Sequence, residues 1–129
     1  MRVYISGPVT GIQGYMKNFA DAEADIRAAG YIPVNPAKVN AMLPDGMQHN
    51  EYMTVSIAML SLCDAIYMLQ GWRESRGCSV EFEYAYDHDI TICFQKDKKV
   101  LIAGVEFGKD FGMNIDPEDL KEYQKYTRG

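Results

Sequence analysis

The stretch DAIYMLQGWRESRGCSVEFEYAY, residues 64–86, decides the predicted fold of this chain. Its first six residues are a nearly continuous apolar run, which predicts a buried strand. A polar loop bounded by Gly71 and Gly77 follows, and then a helix that carries Glu81 in or near its first turn. A strand that feeds a helix through such a loop leaves unpaired backbone amides and the positive helix end at the carboxyl edge of a sheet. Open α/β sheets bind their ligands at that edge.

Length and composition predict a single domain. The chain has 129 residues, of which 47% are hydrophobic and 24% are charged, as in an ordinary globular protein. We expect one domain over residues 1–129, with its core in residues 1–104 and a C-terminal tail in residues 105–129. No run approaches roughly 18 apolar residues, and no signal-like region opens the chain, so we expect no membrane association.

The net charge and the cysteines limit the expected partners. A formal charge of -5 argues against a nucleic-acid polymer, because such binding depends on clustered Lys and Arg. A small anion stays compatible with an acidic chain, since one helix end and one arginine can hold a phosphate. The three cysteines form no CxxC pair and the two histidines form no ligand pattern, so we expect no disulfide framework, metal site or cofactor. A reducing cytoplasm fits this cysteine usage best.

Outside the central stretch, hydrophobic spacing predicts further strands and helices in alternation. Strands are expected over residues 2–6, 31–34, 89–94 and 99–103, and helices over residues 18–29, 51–62 and 117–126. Residues 37–50 have no clear period and predict a mobile loop that could act as a lid. The order strand, helix, strand implies a right-handed crossover between parallel neighbours. The fold class is therefore α/β, a small sandwich with a largely parallel sheet.

Glu81 has two interpretations from helical spacing alone. It shares one helix side with Tyr84, Ala85 and His88, so it should face the apolar side. There the positive helix end would keep it ionised, which suits a nucleophile. Alternatively, Glu81 forms a salt bridge to Arg76 or caps the helix start. Both interpretations stay open.

The loop before this helix supplies candidates for anion binding. Ser75 can cap the helix, or bind a phosphate oxygen beside the free amides, or do both. Arg76 is a solvated loop charge or a ligand for an anion at the same edge. Trp72 is interpreted as a packing residue rather than a base-stacking one, and Cys78 as a structural thiol.

Five segments of the chain resemble the nucleoside 2-deoxyribosyltransferase superfamily. The resemblance is strongest to its small branch of deoxynucleoside 5'-monophosphate N-glycosidases and the short phage and bacterial proteins grouped with them. The segments are YISGP at 4–8, NF at 18–19, VNPA at 34–37, CDAIYML with GW at 63–72, and SRG, E and YA within 75–85. The most specific element is a strand starting at Asp64, followed by Ser75, Gly77 and, four residues later, Glu81.

This resemblance implies a flavodoxin-like three-layer sandwich with a largely parallel five-stranded sheet. It also implies that Glu81 attacks the anomeric carbon, expels the base and forms a ribosyl ester that water or a second base resolves. Serine at position 75, where the transferases carry an acidic residue, favours a monophosphate substrate and hydrolysis, because a carboxylate would repel the phosphate. The implied substrate-binding residues are Ser6, Gly7, Pro8, Ser56, Asp64, Gly71, Trp72, Ser75, Arg76 and Gly77.

One position departs from the family pattern. Eight residues before Asp64, the family usually has an aspartate that contacts the sugar and manages the proton of the leaving base, and here that residue is Ser56. A hydroxyl is not a general acid near neutral pH. A general acid typically contributes roughly 10²- to 10⁴-fold to the rate, and Ser56 does not supply this contribution. Glu51, Glu74 or a group from a second subunit could substitute.

The expected function is cleavage of a (deoxy)nucleoside 5'-monophosphate by an N-glycosidase. Two alternatives stay open: a nucleotide-binding sensor or sequestering protein without turnover, and a nucleoside deoxyribosyltransferase. The partners implied by the resemblance are a small-molecule nucleotide or nucleoside and further copies of this chain, in a homodimer or larger homo-oligomer.

Overall fold

A computed structural model describes residues 1–95 of the chain. Four strands are β1 (Arg2–Ser6), β2 (Ile32–Val34), β3 (Ala65–Met68) and β4 (Thr91–Phe94). Four α-helices are α1 (Tyr15–Ala28), α2 (Pro36–Asn40), α3 (His49–Leu60) and α4 (Arg76–Asp87), and a single 3₁₀ turn covers Trp72–Glu74. The predicted strand over residues 99–103, the tail and its terminal helix lie outside the described residues.

The sheet is parallel throughout its described part, with strand order β2-β1-β3-β4. Tyr4 pairs with Ile66 and Ser6 pairs with Met68, so the carboxyl ends of β1 and β3 lie side by side. The prediction of a parallel α/β sheet is confirmed. The structure describes four of the five predicted strands within residues 1–95, and the fifth lies outside the described residues. This order is that of flavodoxin-like sheets, whose direction of winding reverses between β1 and β3.

Helices cover both faces of the sheet. From β1 to β2 the chain moves one way along the sheet, and from β2 to β3 and β4 it moves the other way. Because such crossovers are right-handed, α1 lies on one face and α3 and α4 lie on the opposite face. All residues of β3 and β4 are accordingly buried. Within the described part of the chain, every helix is too short or too polar to cross a membrane.

Residues 37–50 are more ordered than the sequence predicted. Pro36 occupies the start of α2, where its missing N–H costs nothing, and the Asn35 side chain caps the helix by accepting from the Ala37 N–H at 3.0 Å. At the far end of the segment, the Glu51 carboxylate accepts from the Gln48 N–H at 2.8 Å, so α3 begins before residue 51. The proposed mobile loop is thus reduced to the connection between α2 and α3.

Candidate active site

A buried polar cluster lies where the carboxyl half of β1 faces α4. Tyr4 and Ser6 are two residues apart on β1, so their side chains point to the same face of the sheet. Both side chains meet Glu81, which lies in the second turn of α4. The cluster therefore sits at the point where the winding of the sheet reverses, the usual ligand position in this kind of sheet.

Both oxygens of the Glu81 carboxyl group are held by hydroxyl donors. The Ser6 hydroxyl donates to Oε1 at 2.7 Å, and the Tyr4 hydroxyl donates to Oε2. The Glu81 side chain is 6% exposed. Among residues 1–95, no ion pair joins Arg76 to Glu81, and Arg76 is exposed. Within the described residues, Glu81 is therefore neither a salt-bridge partner nor a helix cap.

Burial controls the protonation of this cluster. It raises the pKa of Glu81 to about 7, while the hydrogen bonds from Tyr4 and Ser6 oppose the rise. Burial and the charge of Glu81 raise the pKa of Tyr4 well above its ordinary value, so the phenol stays a neutral donor. In the folded chain, burial therefore opposes the ionisation that the nearby helix end was expected to favour. Near pH 7 the carboxyl group is balanced between its two forms.

The start of α4 brings a serine and a thiol next to this carboxyl group. The Ser75 hydroxyl accepts from the Cys78 N–H at 3.3 Å, which confirms its predicted capping role. The Cys78 thiol contacts the hydroxyls of Ser6 and Ser75, and burial raises its pKa to about 11. Cys78 is therefore a neutral packing residue that links the two serines. A role of Ser75 in phosphate binding stays a prediction.

Gly77 lets α3 pack closely against the first turn of α4. A Cβ at this position would lie 3.3 Å from Met53 Sδ and 3.8 Å from His49 Cε1. His49 is exposed at this edge, and sequence reasoning considered it only as a metal ligand. Its proximity to Gly77 depends on how the two helices cross, which no local pattern encodes.

The loops after β1 and β3 touch each other beside the cluster. A Cβ at Gly7 would lie 2.6 Å from Leu69 Cδ1, so packing alone requires glycine there. Gly71 has a φ of 88°, in the left-handed region, and a Cβ on it would lie 3.5 Å from Pro8 Cγ. Gly7, Pro8 and Gly71 thus lie in the two loops beside the cluster, where Gly7 has a packing reason and Gly71 a conformational one. Their role in substrate binding stays a prediction.

Two predicted site residues have structural roles in the described part of the chain. Trp72 is 2% exposed and stacks on Phe82 with ring centroids 4.8 Å apart, so it is a packing residue. Asp64 precedes β3 and accepts from the Arg2 N–H at 2.9 Å, at the amino edge of the sheet. A four-residue strand separates that edge from the carboxyl edge by about 13 Å. Asp64 is therefore corrected from a substrate ligand to a residue that pins the start of β1.

The structure brings in one residue that sequence reasoning did not assign. Tyr4 belongs to the YISGP segment, but its apolar strand context gave no sign of a polar partner. Its partner Glu81 lies far along the chain, and only the packing of α4 on β1 brings them together. Ser56, which is 5% exposed, is buried in α3. Among the described residues, no group of three potential ligands could hold a metal ion.

A family model described as a domain of unknown function, DUF4406, matches residues 1–94. The chain belongs to the DUF4406 family. The match contains all members of the cluster, so the candidate site of this DUF4406 domain lies within the family's shared region. A search of curated proteins finds no significant match.

The fold of the DUF4406 domain is similar to that of a solved 2-deoxyribosyltransferase. That protein comes from the psychrotolerant bacterium Bacillus psychrosaccharolyticus and is described as a biocatalyst for the synthesis of antiviral and antitumoral nucleosides. The TM-score is 0.60 at 13% sequence identity, over 93% of this chain and 96% of that one. The likeness shows a shared fold, and it confirms the predicted α/β architecture of this superfamily. The finer branch stays a prediction.

Proposed function

We propose that this protein is an N-glycosidase that cleaves the bond between base and sugar in a (deoxy)nucleoside 5'-monophosphate. The observation that carries the proposal is the buried carboxyl group of Glu81 at the sheet's reversal point, with both oxygens fixed by Ser6 and Tyr4. A carboxylate held in one orientation in a dry site suits attack on an oxocarbenium-like carbon.

The reaction proceeds through a covalent ester on Glu81. Its ionised oxygen forms a bond to C1' of the sugar as the bond from C1' to the base nitrogen breaks. The bonding electron pair leaves with the base, which then takes a proton from solvent. Water attacks C1' of the ester, loses a proton and restores the Glu81 carboxylate, so that the products are free base and sugar 5-phosphate.

The start of α4 would receive the substrate phosphate. The first turn of the helix offers backbone N–H groups, and Ser75 adds a hydroxyl without adding negative charge. The glycine at position 77 keeps this turn free of a side chain. A carboxylate at position 75 would oppose a phosphate dianion, so serine favours nucleotides over nucleosides.

The test is release of free base, measured by chromatography after incubation with each ribo- and deoxyribonucleoside 5'-monophosphate. Wild-type protein should release base from at least one of them, and Glu81→Gln should abolish the release. Glu83→Gln is the matched control, because Glu83 is an exposed carboxylate on the same helix. Release that persists in Glu81→Gln would contradict the proposal.

The same experiment separates the two alternatives. Tight nucleotide binding without release would favour a sensor or sequestering protein. Exchange of base when a second free base is supplied would favour a deoxyribosyltransferase, in keeping with the fold similarity to one such enzyme. We also propose assembly into a homodimer or larger homo-oligomer, which light scattering of the purified chain would test.

A further inference from the structure

The Ser6 hydroxyl is a buried donor at the end of the first strand. Ser6 is the last residue of β1 and is 1% exposed, and its oxygen lies 2.7 Å from Oε1 of Glu81. An ionised carboxylate can only accept hydrogen bonds, so the single hydrogen of the Ser6 hydroxyl is given to Oε1. Towards any further partner Ser6 can therefore only accept. A hydroxyl oxygen has two acceptor positions, so one remains for a substrate even where the neighbouring Cys78 thiol donates to the other.

The two donors hold Glu81 from different positions along β1. Tyr4 precedes Ser6 by two residues, so its backbone lies about 7 Å farther from the carboxyl edge of the sheet. Ligands of such sheets bind at the carboxyl edge. Oε1, which Ser6 holds, is therefore assigned as the oxygen that meets the sugar, and Oε2, which Tyr4 holds, as the oxygen anchored to the sheet.

The stereochemistry of a nucleotide determines which part of the sugar meets Ser6. The base lies on one face of the sugar ring, and the 2'-hydroxyl of ribose lies on the opposite face. A carboxylate that displaces the base attacks C1' from the face opposite to the base, and it starts about 3–3.5 Å from C1' in a near-attack geometry. The attacking oxygen and the hydroxyl bound to it thus approach the face that carries the 2'-hydroxyl, on the carbon next to C1'.

We propose that Ser6 is a specificity-determining residue, whose oxygen accepts a hydrogen bond from the 2'-hydroxyl and so selects ribonucleoside over deoxyribonucleoside 5'-monophosphates. A 2'-hydroxyl in a buried site is costly without a partner, and Ser6 supplies that partner while it holds Oε1. The contact also spares Oε1 a further donor, which would stabilise its charge and weaken it as a nucleophile. The inference rests on the proposed function, because attack by Glu81 on C1' fixes the position of the sugar.

The test compares kcat/KM for a ribonucleotide with kcat/KM for the deoxyribonucleotide of the same base. This ratio is measured for wild type, Ser6→Ala and Ser6→Cys. Cysteine fills nearly the same space with a weak acceptor, so it provides the measurement if alanine destabilises the fold. Tyr4→Phe is the matched control, because it removes the other donor to the same carboxyl group. It should slow both sugars by a similar factor and leave the ratio unchanged.

Wild type should favour the ribonucleotide about tenfold, and each Ser6 variant should lower the ratio about three- to tenfold, the equivalent of one hydrogen bond. A wild-type preference for deoxyribose, an unchanged ratio in either folded Ser6 variant, or an equal fall in Tyr4→Phe would overturn the inference.

Absence of base release from every nucleotide would mean that the proposed function fails. The ratio of the Kd values of the two intact nucleotides, measured by calorimetry on the same proteins, then takes the place of kcat/KM. Tighter binding of the ribonucleotide that is lost in the Ser6 variants would still support the contact to the 2'-hydroxyl. Equal Kd values in wild type, or no binding of either nucleotide, would overturn it.

Discussion

The Tyr4 phenol donates a hydrogen bond to Glu81, although 77 positions separate the two residues in the chain. This contact joins the first strand of the sheet to the helix that follows the third. It also gives the Glu81 carboxyl group a hydrogen-bond donor that stays neutral near neutral pH. Substitutions in this pair should therefore change both the catalytic activity and the free energy of unfolding.

The hydrogen bond from Tyr4 to Glu81 should determine the pH range over which kcat/KM rises. Because only ionised Glu81 is nucleophilic, kcat/KM should rise with pH to a plateau, with an apparent pKa near the value of about 7 for this group. Tyr4→Phe removes a hydrogen bond that lowers the Glu81 pKa, so the rise should move to higher pH, and the plateau should fall roughly 10- to 100-fold. Tyr67→Phe is the control, a buried tyrosine of β3 whose hydroxyl contacts the Gln95 carbonyl. Profiles that coincide for wild type and Tyr4→Phe would contradict this role.

The buried carboxyl group should cost stability at alkaline pH. Burial raises the Glu81 pKa from an ordinary 4.5 to about 7 in the folded chain, so the folded state binds the proton more tightly. The resulting stabilisation is complete below the unfolded value and is lost as pH rises through the folded one, by about 3 kcal/mol in all. Glu81→Gln removes the titration and should be more stable than wild type at pH 8 by about 1–3 kcal/mol.

Urea unfolding at pH 5 and pH 8 checks this expectation. The advantage of Glu81→Gln should be large at pH 8 and small at pH 5, because neutral Glu81 and glutamine are then alike. The control Glu83→Gln should show no such difference. An advantage that is equal at the two pH values would mean that the titration of Glu81 is not its source.

A charge at position 75 should change the substrate preference and leave the fold intact. Aspartate and asparagine both cap helices as well as serine does, so neither substitution should unfold α4. Ser75→Asp places a carboxylate beside the expected phosphate, and at about 4 Å this repulsion amounts to a few kcal/mol at an intermediate dielectric. We expect KM for the monophosphate to rise about 100-fold or more, with a much smaller rise in Ser75→Asn. Equal KM values for the two variants would place the phosphate elsewhere.

Gly7 should be intolerant of any side chain because of Leu69. The added Cβ would lie 2.6 Å from Leu69 Cδ1 and 3.2 Å from Phe19 Cε1, and Leu69 is 2% exposed. Gly7→Ala should therefore destabilise the fold by about 1–3 kcal/mol. In a Leu69→Ala background the same substitution should cost less, since the clashing atoms are gone. Denaturant unfolding of the four proteins measures this coupling, and strictly additive costs would contradict the steric explanation.

The sequence predicted those parts of the fold that local signals define. β1 spans the residues expected, because RVYIS is followed at once by the Gly7–Pro8 turn signal. α4 begins at Arg76, close to the expected start, because Ser75 is a strong cap. Helix α2 was missed because Asn35 and Pro36 were read as the end of a strand, although the same pair is also a helix start.

The parts that failed depend on contacts between elements. In α3, Met53, Ile57 and Leu60 were expected to face inward: Leu60 is fully buried and Ile57 packs against the core, but the burial of Ser56 was not expected. Apolar residues occur on more than one side of this helix, so periodicity does not identify the face that packs. Without that face, the burial of Ser56 could not be predicted. The pairing of Tyr4 with Glu81 depends in the same way on how α4 packs against β1.

Mass spectrometry of the protein after brief exposure to each nucleoside monophosphate tests the central claim most directly. If Glu81 is the nucleophile, the peptide that contains it should gain the mass of one sugar phosphate less one water as free base appears. The mass should be absent from Glu81→Gln and present in Glu83→Gln. Base release with the modification on another residue, or with none under trapping conditions that detect such esters, would contradict covalent attack by Glu81.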